Sequence, residues 1–348
     1  MWLPSEEEAV FGATVTDLLA ERGAVAATRA GADRAEAWNE ALWRDLEQMG
    51  VAELLAEGEL GAALSVADAL GRHPANVPAL STAVLAPALA QSAGFELPSG
   101  STWAVGPFDE AGRLSRSPLT IEPDGRVTGM LPLTLGAAWA EAVITVDADG
   151  SSVRAIDLRQ EGVRVRPRAA LDTTLPFADV EFDSASSRVL AVCTSGVAQR
   201  SIAHAEAIGA LWLSAGEIGT AQQLLDMAVT YAGQRVQFGM RIGERQAITH
   251  KCADLLMLIE SARSALWAAV DVDPDGEDWP RAISLLRLAS SRAVDAAAQQ
   301  SFQIHGGIGF TWEHDLHLLF KRAIASRLIF GGDELHRDRL FTTLMEKK

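Results

Sequence analysis

From Ile248 to Leu266 apolar residues recur at intervals of 4, 3, 4, 3 and 4: Ile248, Cys252, Leu255, Ile259, Ala262 and Leu266. This spacing keeps one stripe of side chains on a single helix face and matches the 3.5-residue repeat of packed helices. Such a stripe has to be covered by other helices, and the flanking sequence offers them. Ile208, Leu211, Ala215, Ile218, Leu225 and Val229 share a face upstream, and Ile283, Leu286, Val294, Ala297 and Ile304 share one downstream, after the polar break Asp271–Pro280. A further helix is predicted over His314–Ile329. Long helices joined by short connections predict a four-helix bundle.

The first hundred or so residues are rich in Ala, Leu and Glu and predict helices over Glu6–Arg22, Ala35–Met49 and Ala62–Gly71. Pro74, Pro78 and Pro87 punctuate the next stretch, with another helix expected over Ser81–Ala93. The middle differs. Asp124-Gly125 and Asp149-Gly150 are turn signals flanked by strand-type runs at Leu119–Glu122, Arg126–Leu133, Ala142–Asp147, Ser152–Asp157, Val163–Pro167 and Ala178–Phe182. The expected fold is mostly α with a central β domain. It comprises an N-terminal helical domain over 1–98, a small antiparallel β domain over 99–190 and a C-terminal four-helix bundle over 191–348.

The net charge is −16, from 46 acidic and 30 basic residues. A nucleic-acid binder needs a basic face, and docking on anionic lipid needs the same, so neither partner is expected. A few local arginines can still bind an anionic ligand. No run of about 18 apolar residues predicts a membrane span. The start, Met1-Trp2-Leu3-Pro4-Ser5-Glu6-Glu7-Glu8, lacks the basic and apolar regions of a secretory signal. Cys193 and Cys252 are the two cysteines, which fits a reduced cytoplasmic setting, and Cys252 falls on the apolar stripe as a core residue.

Two segments carry chemistry. One is Arg235-Val236-Gln237-Phe238-Gly239, continuing through Ile242 and Gln246-Ala247-Ile248; the other is Gln303-Ile304-His305-Gly306-Gly307-Ile308-Gly309-Phe310. Arg235 offers a planar fork of donors suited to phosphate. Phe238 offers a stacking surface, and Gln303 both donor and acceptor. Gly306 and Gly307 let backbone N–H groups approach a ligand closely. Plainer readings stand beside these: Arg235 as a helix-end surface residue, Phe238 as core, Gly306-Gly307 as a helix-terminating turn. Glu313, His314 and His317 have helical spacing, but no second ligand cluster accompanies them, so no metal is expected.

Together these segments resemble the C-terminal bundle of the acyl-CoA dehydrogenase family, over about residues 195–330, with a consistent domain order before that. The resemblance implies FAD as cofactor, an acyl-CoA thioester as substrate and an electron-transfer flavoprotein as acceptor. It implies that Arg235, Phe238, Gln303, Gly306 and Gly307 hold the ADP half of an FAD whose flavin sits in a neighbouring subunit. The family's general base is a glutamate just after the fourth bundle helix. Here that stretch reads Leu328-Ile329-Phe330-Gly331-Gly332-Asp333, and Phe330 or Gly331 stands where the glutamate belongs. In some members the base lies on the first bundle helix; Gly209 falls there, with Glu206 one turn earlier as a substitute candidate and Glu217 and Glu334 behind it. The flavin-facing segments are reduced to Trp103-Ala104-Val105-Gly106-Pro107 and Leu133-Thr134-Leu135-Gly136, with Thr134 the one hydroxyl left. The closest resemblance is to the base-less subunit of heteromeric (α2β2) acyl-CoA dehydrogenases, which act in side-chain β-oxidation of sterol-like CoA esters, with a paralogous subunit as partner. The alternatives are a complete homo-oligomeric enzyme with a relocated base, and a non-catalytic structural paralogue.

Overall fold

The computed structural model describes residues 4–32, 34, 37–194 and 196–346. The described chain divides into two compact units, one of Met1–Arg29, Leu64–Pro74 and Leu211–Lys348, the other of Ala30–Ala63 and Ala75–Ala210. The architecture is the expected one, helices before and after a single principal sheet.

Helices α1 (Glu6–Glu21), α2 (Ala24–Gly31), α3 (Glu40–Gln48) and α4 (Leu60–Arg72) lead the chain. The Ser5 hydroxyl accepts from the Glu8 N–H at 3.2 Å and the Glu8 carboxylate accepts from the Ser5 N–H at 2.6 Å, a reciprocal cap that fixes where α1 begins. The expected start at Ala35 lies outside the described residues, and Asn39 caps α3 instead by accepting from the Leu42 N–H. A π-helical segment, Ala79–Leu85, runs into α5 (Ala86–Ala93).

The second unit holds the sheet. Its strands are β1 (Trp103–Val105), β2 (Thr120–Ile121), β3 (Val127–Leu135), β4 (Ala142–Val146), β5 (Ser152–Asp157), β6 (Val163–Pro167), β7 (Phe177–Ala185) and β8 (Arg188–Val192). They lie in the order β6-β7-β3-β1-β4-β5-β8, with β2 beside β3. The pairings are antiparallel, as expected, except β1 with β4, which is parallel. Alternation marks a strand but carries no information about its neighbour. Val127, Leu131, Val143, Ile156, Val180 and Phe182 form the sheet's core.

The first unit holds the bundle. After α6 (Val197–Gln234), which begins in the other unit, come α7 (Gln246–Val270), α8 (Trp279–His305), α9 (Leu316–Ser326) and α10 (Asp333–Glu346). Helices α7, α9 and α10 all pack on α8. Ser301 joins α8 to α6, its hydroxyl donating to the Leu224 carbonyl at 2.7 Å. Leu255, Ile259, Ala262 and Leu266 are buried, as are Ile283, Leu286, Val294, Ala297 and Ile304, so both stripes face the core. Val229 is the exception on the first stripe and lies half-exposed. Helix α4 crosses α6 at backbone contact distance: a Cβ on Gly71 would overlap the Gly216 carbonyl, and one on Gly219 the Asp68 carbonyl. The Thr220 hydroxyl donates to the Gly71 carbonyl at 2.9 Å and bonds the two helices there.

Candidate functional site

The end of α6, the start of α7 and the end of α8 meet at one end of the bundle. Ala228, Ala232 and Ile304 form a buried cluster there, with Tyr231, Ile242, Ile248 and Cys252 packed against it. Burial raises the Cys252 thiol above its ordinary pKa, in keeping with a core role. The Arg235 N–H donates to the Tyr231 carbonyl at 2.9 Å. The Tyr231 ring stacks on His305 at 4.7 Å with 23° between planes, and His305 is the last residue of α8. Arg235 and the Gly306-Gly307 pair therefore reach the same end of the bundle.

After Arg235 the chain makes a hairpin, β9 (Val236–Gln237) with β10 (Met240–Arg241), Gln237 opposite Met240. Its two turn residues, Phe238 and Gly239, have φ of 54° and 77°, the double left-handed turn that matches strand twist. A bulky residue rarely adopts that backbone. The Phe238 side chain is not core: the residue is 91% exposed. Gln303 is exposed on α8, and its Oε1 accepts from Lys251 Nζ at 2.6 Å, which leaves the amide NH2 free to donate elsewhere. Gly306 has φ 61° and ψ −138°, a conformation essentially restricted to glycine. A Cβ on Gly306 or Gly307 would meet nothing within 4 Å, so that side of each residue is open, while the Gly306 N–H donates to the Phe302 carbonyl. Among the described residues no carboxylate pairs with Arg235, Arg241 or Arg245. On a chain of net charge −16, these arginines without a carboxylate partner gather at and beside the hairpin, where their charge favours anions locally. Lys251 and Arg245 were not legible in the sequence as members of this group. Burial holds the His305 ring below the usual histidine range, and its Nδ1 bonds the Ser301 carbonyl at 2.8 Å, which fixes the ring against Tyr231.

The turn after α9 has a different character. Phe330 and Gly331 are consecutive left-handed residues, φ 63° and 92°, and Phe330 is 3% exposed. Neither can take a proton. Beneath the turn lies an ion pair, Arg287–Glu217, at 2.9 Å with both side chains 1% exposed. Arg287 also donates to the Ser326 and Ile329 carbonyls at 3.2 and 3.5 Å, and Ser290 donates to Glu217 at 2.6 Å. Glu217 is thereby sealed in the core, while Glu334 is exposed. Asp333, the last residue of the stretch, accepts from the Ser291 hydroxyl at 2.8 Å and pairs with Arg337.

His336 stands beside this pair, 2% exposed, with Nδ1 3.2 Å from the Ser284 hydroxyl. Burial pushes its pKa down to about 4, with Arg287 and Arg339 adding to the shift and the Phe330 carbonyl opposing it. Its unfolded value is the higher one, so its contribution is complete above about pH 6.5 and is lost as pH falls toward 4. The loss amounts to about 3 kcal/mol. Urea titrations of wild type and His336→Gln between those pH values check this: the wild-type curve falls more steeply with acid, and parallel curves would contradict it.

Glu206, in the second unit, is engaged. Its carboxylate accepts from Arg113 Nη2 and Nε at 2.9 and 3.3 Å and from the Leu114 N–H at 2.9 Å. Those bonds tie the 109–114 loop to α6. Thr134 is fully buried and donates to the Leu131 carbonyl at 3.3 Å, turned into its own sheet.

The family pattern "Acyl-CoA dehydrogenase, C-terminal domain" matches residues 200–345. Acyl-CoA dehydrogenase IpdE2 of Mycobacterium tuberculosis is 34% identical over 332 residues, spanning 93% of this chain and 92% of that protein. The chain belongs to the acyl-CoA dehydrogenase family. It is an oxidoreductase by that membership. Many solved structures share this fold, and two of them illustrate it. One is the ChsE4-ChsE5 complex from Mycobacterium tuberculosis, with TM-score 0.80 and 23% identity, covering 99% of this chain and 98% of that one. The other is the Tcur3481-Tcur3483 steroid ACAD, with TM-score 0.82 and 22% identity, covering 98% of each chain.

Proposed function

We propose that this chain is the base-less subunit of a heteromeric acyl-CoA dehydrogenase, gripping the ADP half of FAD while a paralogous subunit supplies the flavin pocket and the catalytic glutamate. The observation that carries this reading is a separation of parts. Arg235, Phe238, Gln303, Gly306 and Gly307 gather at one bundle end, exposed or facing open space. The turn at Phe330-Gly331 meanwhile has no ionisable side chain, and Glu206 is held by Arg113 and Leu114.

The residues present suit the dinucleotide. Arg235 presents its fork to the pyrophosphate. The open side of Gly306 and Gly307 lets phosphate or ribose approach the chain closely, and the Gln303 NH2 group adds a directed donor. Phe238 supplies a ring to the adenine end. When bound, FAD supplies the hydride acceptor for α,β-dehydrogenation of an acyl-CoA. Electrons would then pass to an electron-transfer flavoprotein. The steroid dehydrogenase and the two-protein complex among the structural neighbours support a sterol-like side chain as substrate and an unlike subunit as partner. The three donors on Glu206 count against a homo-oligomer that relocates its base there.

Co-expression with dehydrogenase-like paralogues encoded nearby tests the reading. One pairing is expected to co-purify with FAD and oxidise acyl-CoA thioesters. Turnover by this chain without any partner refutes the assignment.

A further inference from the structure

We infer that Arg245 is a positioning residue of the nucleotide-gripping face, holding the Phe238 ring as a preformed stacking platform for the base of an adenine nucleotide. This rests on the dinucleotide reading above and names a residue and a device that the reading did not contain.

Phe238 is costly where it stands. Its backbone is left-handed at φ 54° and its side chain is almost wholly in water. A hairpin turn of this kind is served better by asparagine or aspartate followed by glycine. The Arg245 guanidinium lies over one face of the ring, 5.4 Å from its centre, and Nη2 of the same side chain donates to the Gln237 carbonyl at 3.4 Å. One side chain thus touches both the ring and the strand that carries it. Arg245 stands at the N-cap position of α7, a helix of 25 residues, where its carbonyl accepts from the Ile248 and Thr249 N–H groups, so its backbone is anchored to the bundle. The cation covers one ring face and leaves the other to solvent. A planar base laid there completes a guanidinium–phenyl–base stack. Arg235 lies at the foot of the same hairpin, where its carbonyl accepts from the Ile242 N–H at 2.9 Å, and it is free of carboxylates among the described residues. The hairpin therefore offers a charge for phosphate at its base and a ring for the nucleobase at its tip.

Titration calorimetry of the lone full-length chain with ADP, and separately with inorganic pyrophosphate, tests this. Every residue involved is exposed and lies in one unit, so the platform must work without a partner. ADP is expected to bind more tightly than pyrophosphate. Phe238→Leu and Arg245→Gln should each weaken ADP about three- to fivefold, and Phe238→Leu should leave pyrophosphate unchanged. The double variant should be no weaker than Phe238→Leu alone, because Arg245 acts only through the ring, and Arg245→Lys should recover most of the loss caused by Arg245→Gln. Equal affinity for ADP and pyrophosphate, additive losses, or no ADP binding each overturn the proposal. The parent reading is judged separately, by the FAD content of the co-expressed complex. Should Arg235→Ala abolish ADP binding while Arg245→Gln leaves it untouched, the platform falls and the dinucleotide grip stands.

Discussion

Glu217→Gln is expected to lower the unfolding free energy by about 3–5 kcal/mol, because it leaves a buried guanidinium without a counter-charge. Arg287 is the donor left behind, and the interior offers it no water in exchange, since its side chain is 1% exposed. Its remaining partners are the Ser214 hydroxyl at 3.3 Å and the two carbonyls at the end of α9. Those carbonyls precede the left-handed Phe330, so the loss should be felt in the turn as well as in the helix pairing. A double replacement, Glu217→Leu with Arg287→Met, removes both charges and should recover most of the stability. Urea denaturation followed by circular dichroism gives both values. A cost below about 1 kcal/mol for Glu217→Gln would mean that the pair is solvated in solution.

The second large effect concerns the cofactor. Arg235→Ala should reduce the FAD affinity of the assembled complex by roughly 30-fold, the worth of about 2 kcal/mol for a charge-assisted contact to phosphate. The residue is exposed, so its removal should leave the melting temperature of the lone chain nearly unchanged. Fluorescence of released flavin, measured against dilution of the complex, separates the outcomes. Unchanged retention would favour a structural paralogue that makes no use of the arginine.

The bundle was legible because its signal is periodic. Every residue named on the α8 stripe is buried, and the α7 stripe fails nowhere from Leu255 to Leu266. α10 is not marked in the sequence because Asp333–Glu346 is dominated by charged and polar residues and has no clean apolar face. β8 is unmarked for a related reason: it is an outer strand whose residues are exposed or half-buried, so no inward and outward alternation is written into it. The motif at the bundle end could be read as a string, Arg235 to Gly239 and Gln303 to Gly307, but its supporting contacts could not. Lys251 meets Gln303 across 52 residues, and Glu206 meets Arg113 across 93. Pairings of that kind depend on which helix faces which loop, and no local pattern encodes them. Glu206 illustrates the cost. In the string it is one turn from a family base position; in the fold it is the anchor of a loop.

The split of labour between two polypeptides is tested most directly by the visible flavin absorbance of this chain purified alone and purified with its paralogous partner. A colourless lone chain and a yellow complex holding one FAD for each pair of unlike subunits are expected. A lone chain that purifies yellow, and bleaches when an acyl-CoA is added, would contradict it.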